Sequence, residues 1–217
     1  MQRVIPSLSA FLLCFAVLGA AAQQPSQLSQ NAQLLVAARQ ADLPTLSRLL
    51  DQGAAPNSRN RLGKTSLLIA AEKGSLPMIE RLLTAGADVQ QASLEGVTPL
   101  IGAAYYGQAA AVRRLLAAGA RTEPVDRMEH SAMVYAAALG HTEVVQTLLA
   151  HGIPIDTLYA HNLTALMWAA GQGQAETVKL LLGRGARTDL TDDRGFTAAR
   201  VAQDGGHASL VALLAPR

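Results

Sequence analysis

Gly96-Val97-Thr98-Pro99-Leu100-Ile101-Gly102-Ala103-Ala104-Tyr105-Tyr106-Gly107, followed by Arg113-Arg114-Leu115-Leu116-Ala117-Ala118-Gly119-Ala120, decides the fold, because its skeleton returns at steps of 33 residues. A threonine or serine stands at Thr65, Thr98, Ser131, Thr164 and Thr197, and an alanine pair at Ala70-Ala71, Ala103-Ala104, Ala136-Ala137 and Ala169-Ala170. Gly74, Gly107, Gly140, Gly173 and Gly206 mark one break in each unit, and Gly86, Gly119, Gly152 and Gly185 mark a second. Paired leucines recur at Leu82-Leu83, Leu115-Leu116, Leu148-Leu149 and Leu181-Leu182; one step further back gives Ala37-Ala38, Leu49-Leu50 and Gly53-Ala54. Units of this length cannot bury an apolar face alone, so the period predicts an all-α solenoid of stacked helix–turn–helix units.

The unit from Thr65 to Gln90 shows the grammar. Thr65 is the expected N-cap of a short first helix over Ser66–Lys73, with Leu67, Ala70 and Ala71 facing inward. Gly74 ends that helix with a left-handed residue. Ser75 is the expected cap of a second helix, and Pro77 is tolerated in its first turn, where no backbone N–H is needed. Ile79, Leu82 and Leu83 make the apolar stripe of the second helix, which Gly86 ends. Ala87 to Leu94 then reverse the chain as an extended finger.

With these residues in view, the chain resembles the ankyrin-repeat family. The resemblance rests on Gly-x-Thr-Pro-Leu at 96–100, the Ala-Ala and Gly that follow, and Leu-Leu-x-x-Gly-Ala at 115–120, and it covers residues 31–217. It implies β-hairpin fingers and about six repeats: a degenerate one at 31–58, then 62–91, 95–124, 128–157 and 161–190, and a capping repeat at 194–217. The family's histidine after Thr-Pro-Leu is replaced by Leu68, Ile101, Val134, Met167 and Arg200, which predicts apolar contact in place of its inter-repeat hydrogen bond. Glu129 and Asn162 replace the glycine before the cap. Asparagine tolerates positive φ, whereas glutamate does so poorly, so mild strain is expected before Ser131. Gln33, Arg39 and Gln40 at one end, and Asp204-Gly205-Gly206-His207 with Pro216-Arg217 at the other, read as polar caps.

The amino-terminal 22 residues read as a cleaved export signal. Arg3 precedes an apolar run from Leu8 to Gly19, and Ala20-Ala21-Ala22 offers the small residues of a cleavage site before Gln23. That run is shorter than the ~20 apolar residues of a membrane span. Cys14 does not make a lipoprotein box, because Leu13 stands where a small residue is wanted. Cleavage removes the only cysteine, which leaves no disulfide or thiolate chemistry. It also lowers the formal charge from +2 to about +1, so no broad basic surface for nucleic acid is implied. Residues 23–30 read as a polar linker.

The resemblance implies a binding surface on the concave side, formed by finger tips and first helices. The residues that map there include Arg61, Lys64, Tyr105, Tyr106, Arg127, Met128, His130, Leu139 and His161. Tyr105 and Tyr106 stand where other repeats carry small or polar pairs, and are the expected anchors. Tyr135 and Trp168, by helical spacing, are expected in the core, with Tyr135 filling the space left by Gly102.

Catalytic and cofactor chemistry finds little support. Gly63-Lys64-Thr65 lacks the earlier glycine of a phosphate loop, since Ser58 stands there. His130 and His161 sit on neighbouring fingers, but a third metal ligand beyond Asp126 or Asp193 is not evident. His141 and His207 open second helices and read as structural caps; Asn162-Leu163-Thr164 matches a glycosylation pattern by chance. No catalytic residue, cofactor or metal is therefore assigned. The resemblance extends to small secreted bacterial members of the family. It implies a monomeric, non-enzymatic scaffold in the periplasm that binds another envelope protein. A secreted effector acting on a host protein is the alternative, and a metal-binding or catalytic protein the third.

Overall fold

Twelve α-helices in six antiparallel pairs are set side by side in the computed structural model, which describes residues 28–215. The expected export signal and Pro216-Arg217 lie outside the described residues. The pairs are α1 (Gln30–Gln40) with α2 (Leu43–Asp51), α3 (Ser66–Glu72) with α4 (Leu76–Thr84), and α5 (Pro99–Tyr105) with α6 (Ala109–Ala117). Then come α7 (Ala132–Ala138) with α8 (Thr142–Ala150), α9 (Ala165–Gly171) with α10 (Ala175–Gly183), and α11 (Ala198–Asp204) with α12 (Ala208–Val211). Ser29 caps α1, so the polar stretch read as a linker gives way to helix at its end. The stacked-repeat architecture is the one the period predicts. Among the described residues no helix is long and apolar enough to cross a membrane.

Helices of seven residues do not persist in isolation. Two features hold them here. The hydroxyls of Thr65, Thr98, Ser131, Thr164 and Thr197 each accept the backbone N–H three residues on, at 3.1–3.5 Å. Each such cap contributes about 1 kcal/mol. The larger share comes from burial: the four alanine pairs of the middle repeats, and Met78, Ile79, Leu82, Val112, Leu115, Val144, Val145, Leu148, Val178 and Leu181, are fully buried. One apolar core runs from α1 to the last turn. Leu68, Ile101, Val134 and Met167 are buried, as expected of residues replacing the family histidine. Arg200 is exposed and pairs with Asp204 at 3.0 Å.

The second helices start differently from the sequence expectation. Ser75, His141 and His207 stand at N-cap positions, but none makes a side-chain cap hydrogen bond. From the third repeat onward this side chain reaches backward instead. His141 Nε2 lies 2.9 Å from the Tyr105 carbonyl, and Gln174 Nε2 donates to the Ala138 carbonyl at 3.0 Å. The reaching side chain covers the left-handed glycine of the preceding repeat so closely that a Cβ on Gly140 would lie 2.3 Å from Gln174 Oε1. Histidine and glutamine at this point are ties between repeats, not caps within one.

The fingers are tight turns with a single isolated antiparallel bridge, Arg59 to Thr65, among the described residues. Their closure is a side-chain device. Asn60, Asp126 and Asp192 each accept two backbone N–H groups, two and four residues on, with one oxygen at 2.8–3.0 Å. Ser93 accepts one, from Val97. The fourth finger carries Tyr159 at this point, has no such acceptor, and collapses into a short 3-10 turn, Ala160–Asn162. His161 and Asn162 are both left-handed there, at φ 61° and 57°, and Glu129 takes φ 62° in the finger before. The positive φ expected at Glu129 and Asn162 is present; that at His161 is an addition.

Candidate functional site

The first helices and fingers together form a groove, and its floor changes character along the stack. At the amino-terminal end a hollow of about 640 Å³ is lined by Arg39, Lys64, Lys73 and Tyr106. Lys64 Nζ is paired with Glu72 at 2.7 Å, while Arg39 and Lys73 are exposed and make no ion pair among the described residues. A smaller hollow of about 160 Å³ adjoins it, sharing Glu72 and Tyr106 and bounded by Gly102, Tyr105 and Tyr135. Gly102 keeps this floor low, but its missing side chain is replaced by Leu68 and Glu72, whose Cδ1 and Cγ would lie 2.8 and 3.1 Å from a Cβ there. Tyr135 does not fill that space.

Five aromatic rings run edge to face along the groove. Tyr106 meets Tyr105 at 4.9 Å between centroids, Tyr105 meets Tyr135 at 5.1 Å, Tyr135 meets His130 at 5.1 Å, and His130 meets Trp168 at 5.0 Å. Each contact of this kind contributes about 0.5–1.5 kcal/mol beyond simple burial. The rings come from α5, a finger, α7 and α9, so the row crosses three repeats. Tyr105 and Tyr106 remain 43% and 53% exposed, which leaves one end of the row open. Tyr135 and Trp168 pack on the core by one side only and are partly buried, a correction to their expected place inside it. Residue spacing identified a helical face that packs; it did not show that the outer edge of the same face lines the groove.

Polar atoms fix the row at its centre. Asp126 Oδ1 accepts the backbone N–H groups of Met128 and His130, and Oδ2 accepts the Tyr135 hydroxyl. Burial, and then this hydrogen bond, push the Tyr135 phenol well above its ordinary value, so it donates throughout the physiological range. His130 Nδ1 and Trp168 Nε1 are buried without a hydrogen-bond partner, two polar atoms held in the row by packing alone. Orphaned polar atoms of this kind cost stability, and Ser58, Ser66 and Gln91 carry others outside the row.

The remaining residues expected at the surface are distributed unevenly. Leu139 closes α7 and Met128 tips its finger, both exposed. Arg127 is engaged with Glu95 at 3.2 Å. Arg61 opens instead onto a separate hollow beside α1, with Leu35 and Arg59. His161 is exposed at its finger and sits 2.9 Å from Asp193 Oδ2, while His130 lies between Tyr135 and Trp168. The two histidines have separate partners, and no group of three potential metal ligands occurs among the described residues. Sequence reasoning missed Arg39 and the participation of Tyr135 and Trp168; the only available signal was the concentration of aromatic residues between Tyr105 and Trp168.

Comparison with known families agrees with the repeat geometry. The sequence profile described as ankyrin repeats (3 copies) matches at residues 34–126, 74–161, 100–192 and 133–217, overlapping windows that span all six helix pairs. No curated protein matches the chain. In-phase helix pairs, capped at every first helix and matched along nearly the whole described length, place this chain in the ankyrin-repeat family.

Proposed function

We propose that this ankyrin-repeat protein is a non-enzymatic scaffold that docks another envelope protein in a bacterial periplasm. The docking element is the groove, with the aromatic row as its anchor. The observation that carries the reading is the open end of that row: two tyrosines, half exposed, backed by three further rings and adjoining a hollow with two unpaired cations. Tyrosines so supported bind at low entropic cost, because the neighbouring rings have already fixed their rotamers. Lys64, Arg61, Arg127, Met128, Leu139 and His161 are proposed as the polar and apolar rim. Periplasmic residence rests on the reading of residues 1–22 as an export signal.

The test is affinity capture from an envelope extract with residues 23–217, compared with a Tyr105→Ala/Tyr106→Ala variant. Loss of at least one anchor weakens capture by roughly thirtyfold, the usual scale of an interface hot spot. Equal capture by both proteins overturns the anchor. Fractionation decides location: recovery in the periplasmic fraction supports this reading, and recovery in the medium supports the secreted alternative.

A further inference from the structure

Neighbouring fingers are tied together in two ways that recur with the repeat. One is a backbone bond between tips: Leu94 N–H to Leu62 O at 3.0 Å, Arg127 to Glu95 at 2.9 Å, and Asp193 to His161 at 3.1 Å. The other is a side chain that spans the base of the next finger. Asn57 accepts from Asp88 N–H, Gln90 from Arg121 N–H, and Asp156 from Arg187 N–H, at 2.7–3.3 Å. Asn57 and Gln90 also donate to the Gly86 and Gly119 carbonyls.

Both ties are missing at one boundary, between the fingers at 122–131 and 151–160. The spanning residue there is Glu123, and the residue opposite is Pro154, which has no N–H to give. The tip bond from Ala160 N–H to Met128 O does not form. The donor of each tip bond directly follows the residue that closes its own finger: Ser93, Asp126 or Asp192. At this boundary that residue is Tyr159, and its finger folds into the short 3-10 turn at Ala160–Asn162 instead. A side chain at the left-handed position does not by itself break the bond, because Asn162 carries one and His161 O still accepts from Asp193 N–H. Pro154 and Tyr159, independent in sequence, therefore open the same seam. The alanine pairs of α7 and α9 beneath it stay fully buried, so the core is continuous and the opening is confined to the fingers.

The open seam is a cleft of about 620 Å³. Val125 and Leu158, 48% and 54% exposed, stand on its walls together with Tyr159. Glu123 and Glu129 line it too, neither in an ion pair among the described residues; His151 is there as well, but no lysine or arginine. Met128 O, Gly152 O and Ala160 N–H are left without backbone partners at its rim. Apolar walls, unpaired carboxylates and open backbone groups are the complement of an extended chain with a cation among its apolar side chains.

We infer that this seam is a second docking site, separate from the aromatic groove, for an extended protein segment that presents a lysine or arginine between apolar residues. The site exists because Pro154 and Tyr159 leave the fingers untied, and its charge preference comes from Glu123 and Glu129.

The probe is a pool of heptapeptides alternating valine, leucine or tyrosine with lysine, set against the same pool with glutamate. Binding is followed by amide chemical shifts of the 23–217 chain. The lysine pool is expected to shift residues 123–130 and 152–160, and the glutamate pool to leave them unmoved. Glu123→Gln weakens the lysine pool by about three- to fivefold, the scale of one partly exposed charge pair. Tyr159→Asp/Pro154→Ala, which restores the finger's acceptor and the N–H opposite Glu123, removes binding while raising the unfolding midpoint, so the loss is not one of folding; Tyr159→Ala, which removes the wall side chain without restoring the acceptor, still binds. Tyr105→Ala/Tyr106→Ala binds the lysine pool like the unsubstituted chain, which keeps this outcome independent of the groove. No binding, equal binding of both pools, shifts centred on Tyr105 and Tyr106, or full binding by the closing variant would each overturn the inference.

Discussion

Asn60, Asp126 and Asp192 do one job in three fingers, and the differences among them are chemical rather than geometric. Asp192 adds an Arg194 guanidinium at 2.7 Å to the two N–H groups it accepts. Burial pushes its carboxyl up, but the Phe196 and Arg194 hydrogen bonds outweigh it and hold the group below its ordinary value of 3.8. A carboxyl depressed in the folded state stabilises the fold above its unfolded value, and that contribution is lost as pH falls through the folded value. Asp192→Asn keeps the one oxygen that accepts both N–H groups, as Asn60 shows, but loses the charge and the second oxygen that accepts from Arg194. The variant should therefore unfold at lower urea than the parent at pH 7, and the two midpoints should converge as pH drops below about 3.8. Parallel curves down to low pH would mean that the charge contributes nothing. Glu129 offers the opposite experiment. A left-handed non-glycine residue costs roughly 1–2 kcal/mol, and the extra chain entropy of glycine returns roughly 0.5–1 of that. Glu129→Gly should then stabilise by about 0.5–1 kcal/mol in urea titrations. The strain at this residue was legible in the sequence, because the glycine of Gly63, Gly96 and Gly195 is replaced there by a residue that tolerates positive φ poorly. The left-handed turn at His161 was not, because it follows from Tyr159 lacking an acceptor, and the acceptor's role is visible only with the finger folded.

At the level of helices, the first-helix caps were legible in the sequence and the contacts that open the second helices were not. Threonine or serine before an apolar run satisfies a donor within its own helix, so a one-dimensional rule finds it. Gln174 and His141 satisfy carbonyls one repeat away, and the same rule misreads them as caps. Their tie can be separated from backbone effects by comparing two glycines. Gly119 and Gly140 are both left-handed, at φ 86° and 75°, but a Cβ on Gly119 meets nothing within 4 Å, while one on Gly140 strikes Gln174. Gly119→Ala should cost about 1–2 kcal/mol, the backbone term alone. Gly140→Ala should cost more, because the alanine also displaces the tie, a further loss of about 1 kcal/mol. In a Gln174→Ala background the excess should vanish, leaving Gly140→Ala no worse than Gly119→Ala. Strictly additive effects in that cycle, measured by urea denaturation, would show that the tie and the glycine are uncoupled.

Across the molecule, the period carried the architecture, because each repeat meets only its neighbours and the sequence unit is also the structural unit. The aromatic row was hidden for the complementary reason: beyond the neighbours Tyr105 and Tyr106, its rings come from His130, Tyr135 and Trp168, and their adjacency arises only when three repeats are stacked. The open seam is a property of the same scale, and it makes the solenoid uneven. Helices α7 and α9 share a closed core across the boundary, while the fingers above them lack both of the ties found elsewhere. Opening of the fingers should then be a local event, not linked to separation of the stack. Native-state hydrogen exchange distinguishes the two, since an amide without a partner exchanges without waiting for global unfolding. Ala160 N–H, which lacks the tip bond, should exchange orders of magnitude faster than Arg127 N–H, which makes it at 2.9 Å to Glu95 O. The amides of α7 and α9 should exchange together at the slow rate of global unfolding. In Tyr159→Asp/Pro154→Ala the Ala160 amide should slow toward the rate of Arg127, with the helices unchanged. Equal protection of Ala160 and Arg127 in the unsubstituted chain would mean that the fingers close in solution, and helices α7 and α9 exchanging at different rates would place the weak point in the core.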